Sequence, residues 1–227
     1  MPPAGSPLRL ALFDCDGTLV DSQHNIVTAM GKAFEAFGLT VPSTTAIRRI
    51  IGLPLVRAIA ALHPTGNSAQ HEALAEIYKK EFGAARALPE HQEPLFDGIV
   101  SVLEKLQAEG VLLGIATGKS KRGLDMVLEH HAIGHFFTTC QTSDIGFGKP
   151  HPDMALRALR ETGVAARDTI MIGDSIFDMA MARAAGMKSI GVGWGYYGPK
   201  ELAEAGADAL VDEVRAIPPT LSRLWAA

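Results

Sequence analysis

Five short apolar runs, at 8–13, 111–116, 136–140, 169–172 and 189–192, each stop at a polar or glycine-containing turn, and a segment with helical spacing follows. A sixth, weaker run lies at 209–211. Their length and flanks predict buried strands. The segments at 98–108, 121–130, 154–161 and 176–185 carry the spacing of helices. Strand and helix in alternation imply an α/β fold, a parallel sheet with helices on both faces.

One stretch departs from this rhythm. From about Asp21 to Pro89 the pattern is helical throughout. "NIVTAMGKAFEAFG" and "AQHEALAEIYKKEFG" are amphipathic, and each ends at a glycine, Gly38 or Gly83, placed as a helix stop. Between them "TTAIRRIIGLPLVRAIAALHP" reads as shorter helices broken at Gly52 and Pro54, and Pro89 and Pro94 mark the return to the sheet. The predicted organisation is an α/β core of residues 1–20 and 90–227, with a small all-helical cap of residues 21–89 inserted after the first strand.

At 227 residues and 47% hydrophobic, the chain can bury a real core. A net charge of -4 speaks against a general polyanion binder, so no nucleic-acid partner is expected. The two cysteines, Cys15 and Cys140, offer neither a disulfide framework nor zinc-ligand spacing. "MPPAGSPLRL" lacks the pattern of a secretory leader, and no apolar stretch approaches the roughly 20 residues that span a membrane. The expectation is a soluble cytoplasmic protein with no membrane partner; oligomeric state is left open.

In an open parallel sheet, ligands bind beyond the carboxyl ends of the strands. The unusual residues fall there. Asp14 and Asp16 follow the first run, Thr117 and Gly118 the second, Lys149 and Pro150 the third, and Gly173, Asp174 and Asp178 the fourth. Two aspartates separated by one residue repel each other unless something positive lies between them or one stays protonated. Four loops distant in sequence would converge on one edge of the sheet.

The motifs "DCDGT" (14–18), "ATG" (116–118), "GKP" (148–150) and "GDSIFD" (173–178) resemble, in order and spacing, those of the haloacid dehalogenase superfamily of phosphohydrolases. The helical insert is similar to that family's C1-type cap, and the overall wording to its phosphoglycolate phosphatase-like branch. The resemblance implies a Rossmann-like core and a magnesium-dependent phosphatase that hydrolyses the phosphate monoester of a small metabolite through an aspartyl-phosphate. It makes Asp14 the nucleophile and Asp16 the general acid and then base. Thr117 and Gly118 would bind phosphate, with the Thr117 hydroxyl as donor, and Lys149 would stabilise the transferring group. It implies Asp14, the Asp16 carbonyl and Asp174 as magnesium ligands, with Asp178 acting directly or through water. Arg49 and Gly52, in "RRIIGLPL", are the expected cap contacts to substrate, with Arg48 as the alternative to Arg49.

Simpler readings stand beside these. Asp174 can cap the helix that follows it, Thr117 and Gly118 can form a plain turn, and Lys149 can be a solvated surface lysine. Asp21 and Ser22 read as the start of the cap helix, Cys15 as a packed small side chain, and His130 and His131 as a solvated helix end. Arg48 and Arg49 can lie on a solvated helix face. Two other functions share this core: a sugar phosphomutase, similar to beta-phosphoglucomutase, and a non-catalytic phosphate-binding protein.

Overall fold

The computed structural model describes residues 7–86, 88 and 92–227. Its centre is the apolar run LALF, strand β1 (Leu10–Phe13), in which all four residues are buried. Successive strand side chains point to opposite faces. Ala11 and Phe13 accordingly enter one core, and Leu10 and Leu12 enter another. This two-sided burial is why the run is continuously apolar rather than alternating.

Helices α1 (Gln23–Ala36), α2 (Thr44–Arg48), α3 (Leu55–Leu62) and α4 (Ser68–Arg86) follow before the chain returns through α5 (Ile99–Ala108) to β2 (Leu112–Thr117). Then come α6 (Lys121–His130), β3 (Phe137–Thr142), α7 (Asp153–Thr162), β4 (Thr169–Gly173), α8 (Ile176–Ala184) and β5 (Lys188–Val192). The chain ends with α9 (Pro199–Glu204), β6 (Ala209–Val211) and α10 (Ile217–Ala226).

The described strands make a six-stranded sheet in the order β3-β2-β1-β4-β5-β6. Every pairing is parallel, as the α/β Rossmann-like reading expects. Leu103 and Leu106 of α5, Leu124 of α6 and Leu221 of α10 cover one face. Met154 and Ala158 of α7 and Met181 of α8 cover the other. Phe13 lies in register with Ile115 on one side and Ile172 on the other. The chain winds outward from β1 to β2 and β3, then crosses to build β4, β5 and β6 on the opposite side. The crevice past the ends of β1 and β4 is therefore the switch point where such sheets bind ligands.

Helices α1 to α4 have a core of their own. Ile26, Met30, Ala33 and Phe34 fall at helical spacing on one face of α1 and pack with Ile47, Ile59 and Leu74. The chain enters and leaves this unit side by side: the Asp21 N–H donates to the Pro94 carbonyl at 2.8 Å, and the Phe96 N–H to that of Leu19 at 3.0 Å.

One detail differs from the sequence reading. Helix α4 does not stop at Gly83 but runs through it to Arg86. Gly83 lacks the left-handed backbone of a helix stop, unlike Gly38 at φ +77°. Downstream, Arg86 extends the helix by lying over the Phe82 ring and pairing with Glu93. Pro89, the expected point of return, lies outside the described residues.

Candidate active site

Asp14 is the first residue beyond β1, and its N–H donates to the Ile172 carbonyl of β4 at 2.9 Å. That bond continues the sheet by one residue and aims the carboxylate into the crevice. Its Oδ1 accepts from the Cys15 N–H at 2.7 Å and lies 2.7 Å from Lys149 Nζ. Lys149 is fully buried, and its ammonium also lies 2.6 Å from Asp178 Oδ1. Burial alone would lower the affinity of Lys149 for its proton, but Asp14 and Asp178 outweigh this and raise its pKa. It is no surface lysine.

Asp178 is positioned by the helix that carries it. Ser175 caps α8 by accepting from the Asp178 N–H, while Asp178 Oδ2 accepts from the Ser175 N–H at 3.1 Å and hydroxyl at 2.6 Å. This reciprocal cap leaves Oδ1 facing Lys149. Asp174 instead precedes the helix. Its Oδ2 accepts from the Tyr196 N–H at 2.9 Å and its Oδ1 from the Thr18 hydroxyl at 3.2 Å. The cap of α8 is Ser175, so Asp174 is not needed for that duty.

Asp14, Asp174 and Asp178 are all buried, and an oxygen from each lies within 4.8 Å of the others. Lys149 is the cation paired with two of them. Three carboxylates against one ammonium leave the cluster with excess negative charge in a poorly solvated place. Burial, opposed by Lys149 and reinforced by Asp178, raises the Asp14 pKa to about 7. Burial, with Asp14 and Asp178 adding to it, raises Asp174 as well. A hard divalent cation such as magnesium suits such an all-oxygen set, so the residues fit the metal.

Asp16 lies across the turn made by Gly17, whose φ of +84° and close approach to Asp174 favour glycine. Asp16 faces different partners from Asp14. Its Oδ1 accepts from the Ser22 hydroxyl at 2.5 Å and lies 2.8 Å from Lys119 Nζ. Lys119 also lies 3.4 Å from Glu93 Oε1, and Glu93 pairs with Arg86 of α4. Burial disfavours the Lys119 ammonium, but Asp16 and Glu93 outweigh that and raise its pKa. The two aspartates that seemed to repel each other thus have separate lysines.

Thr117, the last residue of β2, is buried, and its hydroxyl oxygen accepts from the Lys119 N–H at 3.2 Å, leaving its own proton to donate. At Gly118 a Cβ would stand 2.6 Å from the Gly52 carbonyl oxygen and 2.9 Å from that of Leu53. Gly52, at φ +100°, thereby lies against both Gly118 and Ser175. A cavity of about 630 Å³ opens between the inserted helices and the sheet edge. Asp14, Asp16, Thr117, Gly118, Lys119 and Gly52 are among the residues that line it.

Arg49 is placed otherwise than expected. Neither it nor Arg48 lines the cavity. The Arg49 guanidinium lies 2.6 Å from Glu201 of α9, and its carbonyl accepts from the Tyr197 hydroxyl at 2.5 Å. It ties the inserted helices to the core rather than facing a ligand. Ser22 does occupy the N-cap position of α1, but its hydroxyl serves Asp16 instead of the helix. His131 is not simply solvated, since its Nε2 lies 2.8 Å from the Glu93 carbonyl oxygen. Lys119, Glu93 and Arg86 were not foreseen. Lys119 could have been, as a lysine directly after "TG" on the edge where Asp16 needs a counter-charge; Glu93 and Arg86 carry no local signal.

Comparison with known proteins agrees with this arrangement. The family profile described as "Haloacid dehalogenase-like hydrolase" matches residues 11–192. "Probable phosphatase IndB" of Dickeya dadantii is 33% identical over 204 residues, 89% of each chain. A phosphoglycolate phosphatase of Pseudomonas fluorescens is 27% identical over 218 residues, covering 93% of this chain and 79% of that protein. The crystal structure of "a predicted phosphatase from Clostridium acetobutylicum" superposes with a TM-score of 0.86 at 26% identity, over 96% of this chain and 100% of the other.

Proposed function

Because the chain belongs to the haloacid dehalogenase-like hydrolase family and is a phosphoric monoester hydrolase, we propose that it hydrolyses the phosphate ester of a small metabolite with magnesium, through an aspartyl-phosphate on Asp14. The observation that carries this reading is the contact of Asp14 with the buried Lys149 beside two further buried carboxylates, with Asp14 and Asp16 both on the cavity.

In this mechanism one oxygen of Asp14 is held by Lys149 and the Cys15 N–H, and the other attacks phosphorus. The bond to the leaving oxygen breaks as Asp16 gives that oxygen its proton. Water then attacks the phosphorus of the aspartyl-phosphate, Asp16 takes the water's proton, and the Asp14 carboxylate is released with inorganic phosphate. Ser22 and Lys119 hold the Asp16 carboxyl in one orientation through both duties. The Thr117 hydroxyl and the N–H groups of the 14–18 loop donate to the phosphoryl oxygens, and Lys149 balances their charge. Asp14, Asp174 and Asp178, with the Asp16 carbonyl, would hold the magnesium ion, which when bound supplies the positive charge that keeps Asp14 ionised and offsets the phosphate. The inserted helices act as a cap over the site, with Gly52 at the contact. A reducing cytoplasm suits the free thiols of Cys15 and Cys140. Among the described residues no helix is long and apolar enough to cross a membrane.

The test is phosphate release from a set of phosphorylated metabolites, phosphoglycolate included, with magnesium and with EDTA. Release in magnesium that stops in EDTA is expected. Full turnover by metal-free protein would refute the role of the acidic cluster, and no release from any ester would refute the hydrolase.

A further inference from the structure

The cavity is more cationic than the protein around it. The chain carries a net charge of -4. Yet beyond the aspartates of its floor, Asp14 and Asp16, the lining has five basic residues against one acid, Asp144. Two of the five are committed deep in the site: Lys119 pairs with Asp16 and Glu93, and Arg86 with Glu93. Lys79, Lys80 and Arg122 stand at the rim, where all three are exposed. Lys79 pairs with Glu76 at 2.7 Å. Lys80 and Arg122 form no ion pair with a described residue. The acids one turn away on their own helices have other partners, Glu76 being held by Lys79 and Asp125 by Lys121 at 2.6 Å. Asp144 accepts from the Lys121 N–H and, at 3.4 Å, from the Thr142 hydroxyl. The phosphoryl-transfer steps use neither Lys80 nor Arg122.

These two cations belong to different walls. Lys80 is on α4 of the inserted helices and Arg122 on α6 of the core. The two helices meet nearby, where Arg86 Nη1 lies 3.4 Å from Met126 Sδ. Gly83, between Lys80 and Arg86 on α4, also lines the cavity, and a Cβ there would meet nothing within 4 Å, so the space beside Lys80 is open. Like charges on facing walls repel, and an anion between them offsets both while tying the inserted helices to the core. A cleft lined by one sign of charge also concentrates ligands of the other. The position sets the length of the ligand. Asp14 and Asp16 are buried, whereas Lys80 and Arg122 are exposed, so the anion they take stands away from the scissile bond. The cavity volume of about 630 Å³ falls within the range of roughly 300–1,000 Å³ that encloses drug-sized ligands, ample for a leaving group longer than two carbons.

We propose that the preferred leaving group carries a second anionic group, a carboxylate or a phosphate, at its far end, held between Lys80 and Arg122. This rests on the phosphatase reading of the site and deepens it.

The experiment compares kcat/KM for esters matched in length: hexyl phosphate, the phosphate ester of 6-hydroxyhexanoate and hexane-1,6-diyl bisphosphate, with ethyl phosphate and phosphoglycolate as the short pair. Two rim cations should give the six-carbon acid or bisphosphate about a 10-fold gain over hexyl phosphate, and the larger of the two gains names the group. Phosphoglycolate should gain less over ethyl phosphate than the six-carbon acid does over hexyl phosphate. In a Lys80→Gln, Arg122→Gln double variant, checked for folding by its melting curve, the six-carbon gain should shrink towards onefold. Raising the ionic strength from about 0.05 to about 0.5 M should shrink it in the wild-type protein too. Equal rates for the three six-carbon esters, a gain that survives both substitutions, or a larger gain in the two-carbon pair would overturn the inference while leaving a working phosphatase. If no ester releases phosphate, the phosphatase reading fails. Calorimetric titration of Asp14→Asn protein with the six-carbon esters then decides the cavity's preference, tighter binding of the acid or bisphosphate supporting it and tighter or equal binding of hexyl phosphate overturning it.

Discussion

Replacing Asp14 by asparagine should abolish turnover and yet stabilise the metal-free protein. Asp14 has a folded-state pKa of about 7 against an ordinary 3.8, because burial outweighs the attraction of Lys149. The folded protein holds that proton more tightly than the unfolded chain. The resulting stability is complete below about pH 4 and is lost as pH rises towards 7. At about 1.4 kcal/mol per tenfold change in proton affinity, a folded protein at pH 8 forfeits up to about 4 kcal/mol. Asparagine keeps the shape, cannot ionise, and leaves Lys149 its contact with Asp178 at 2.6 Å. Asp174 is raised in the same direction, so removing the Asp14 charge relieves it too. The assay is thermal unfolding of both proteins in EDTA at pH 5 and pH 8. For a chain of this length 1 kcal/mol corresponds to about 2–4 °C, so the variant should melt on the order of 10 °C above wild type at pH 8 and much closer to it at pH 5. Magnesium should then close the gap by stabilising wild type more than the variant. A variant no more stable than wild type at pH 8 in EDTA would refute the reasoning, because Lys149 would then already compensate Asp14 fully.

On the proposed mechanism, Asp16→Ala removes a proton donor that an alkyl ester needs far more than a nitrophenyl ester does. The alkyl ester should lose about 10²–10⁴-fold in its first step. Nitrophenyl phosphate should give a burst of nitrophenolate approaching one equivalent, then slow turnover as aspartyl-phosphate waits for its base; equal losses without a burst would give Asp16 a structural role instead. Lys119→Met leaves Asp16 and Glu93 facing each other without their shared ammonium, and urea unfolding should show a loss of about 3–5 kcal/mol. Adding Glu93→Gln should cost less than the sum of the two single changes, whereas strict additivity would mean that Lys119 and Glu93 do not act on each other.

What could be read from the chain follows the range of the interactions involved. The strands were legible because β1 is buried on both sides and Leu10, Ala11, Leu12 and Phe13 must all be apolar. Asp14, Asp16, Thr117, Lys149 and Asp174 were legible as strand-end residues, since a parallel sheet brings those ends together. Gly83 misled because a glycine in an exposed helix costs only about 1 kcal/mol, which later contacts of Arg86 can offset. Arg49 misled for another reason: its partner Glu201 is 152 residues away, and no local pattern names it. The linkage of Arg86, Glu93, Lys119 and Asp16 was hidden in the same way, because each member is ordinary until folding places it beside the next.

The paired crossings at Val20 and Leu95 bear on how such a protein can change over time. Asp21 and Pro94, like Leu19 and Phe96, are hydrogen-bonded across the two connecting segments, so the helical unit hangs on a closed stem. The stem's geometry is the same whatever length of chain it closes, and the entropy of closing a longer loop grows only logarithmically. The carboxylates on the sheet and most of the cavity wall on the helices are therefore separately mutable parts, joined chiefly through Ser22, Glu93 and Arg86. Insertions, deletions or exchange of the chain between the two crossings that spare Ser22, Arg86 and Glu93, which reach Asp16 and Lys119, would alter what is recognised while Asp14, Lys149 and Asp174 keep their places. A new specificity in this architecture needs no new catalyst.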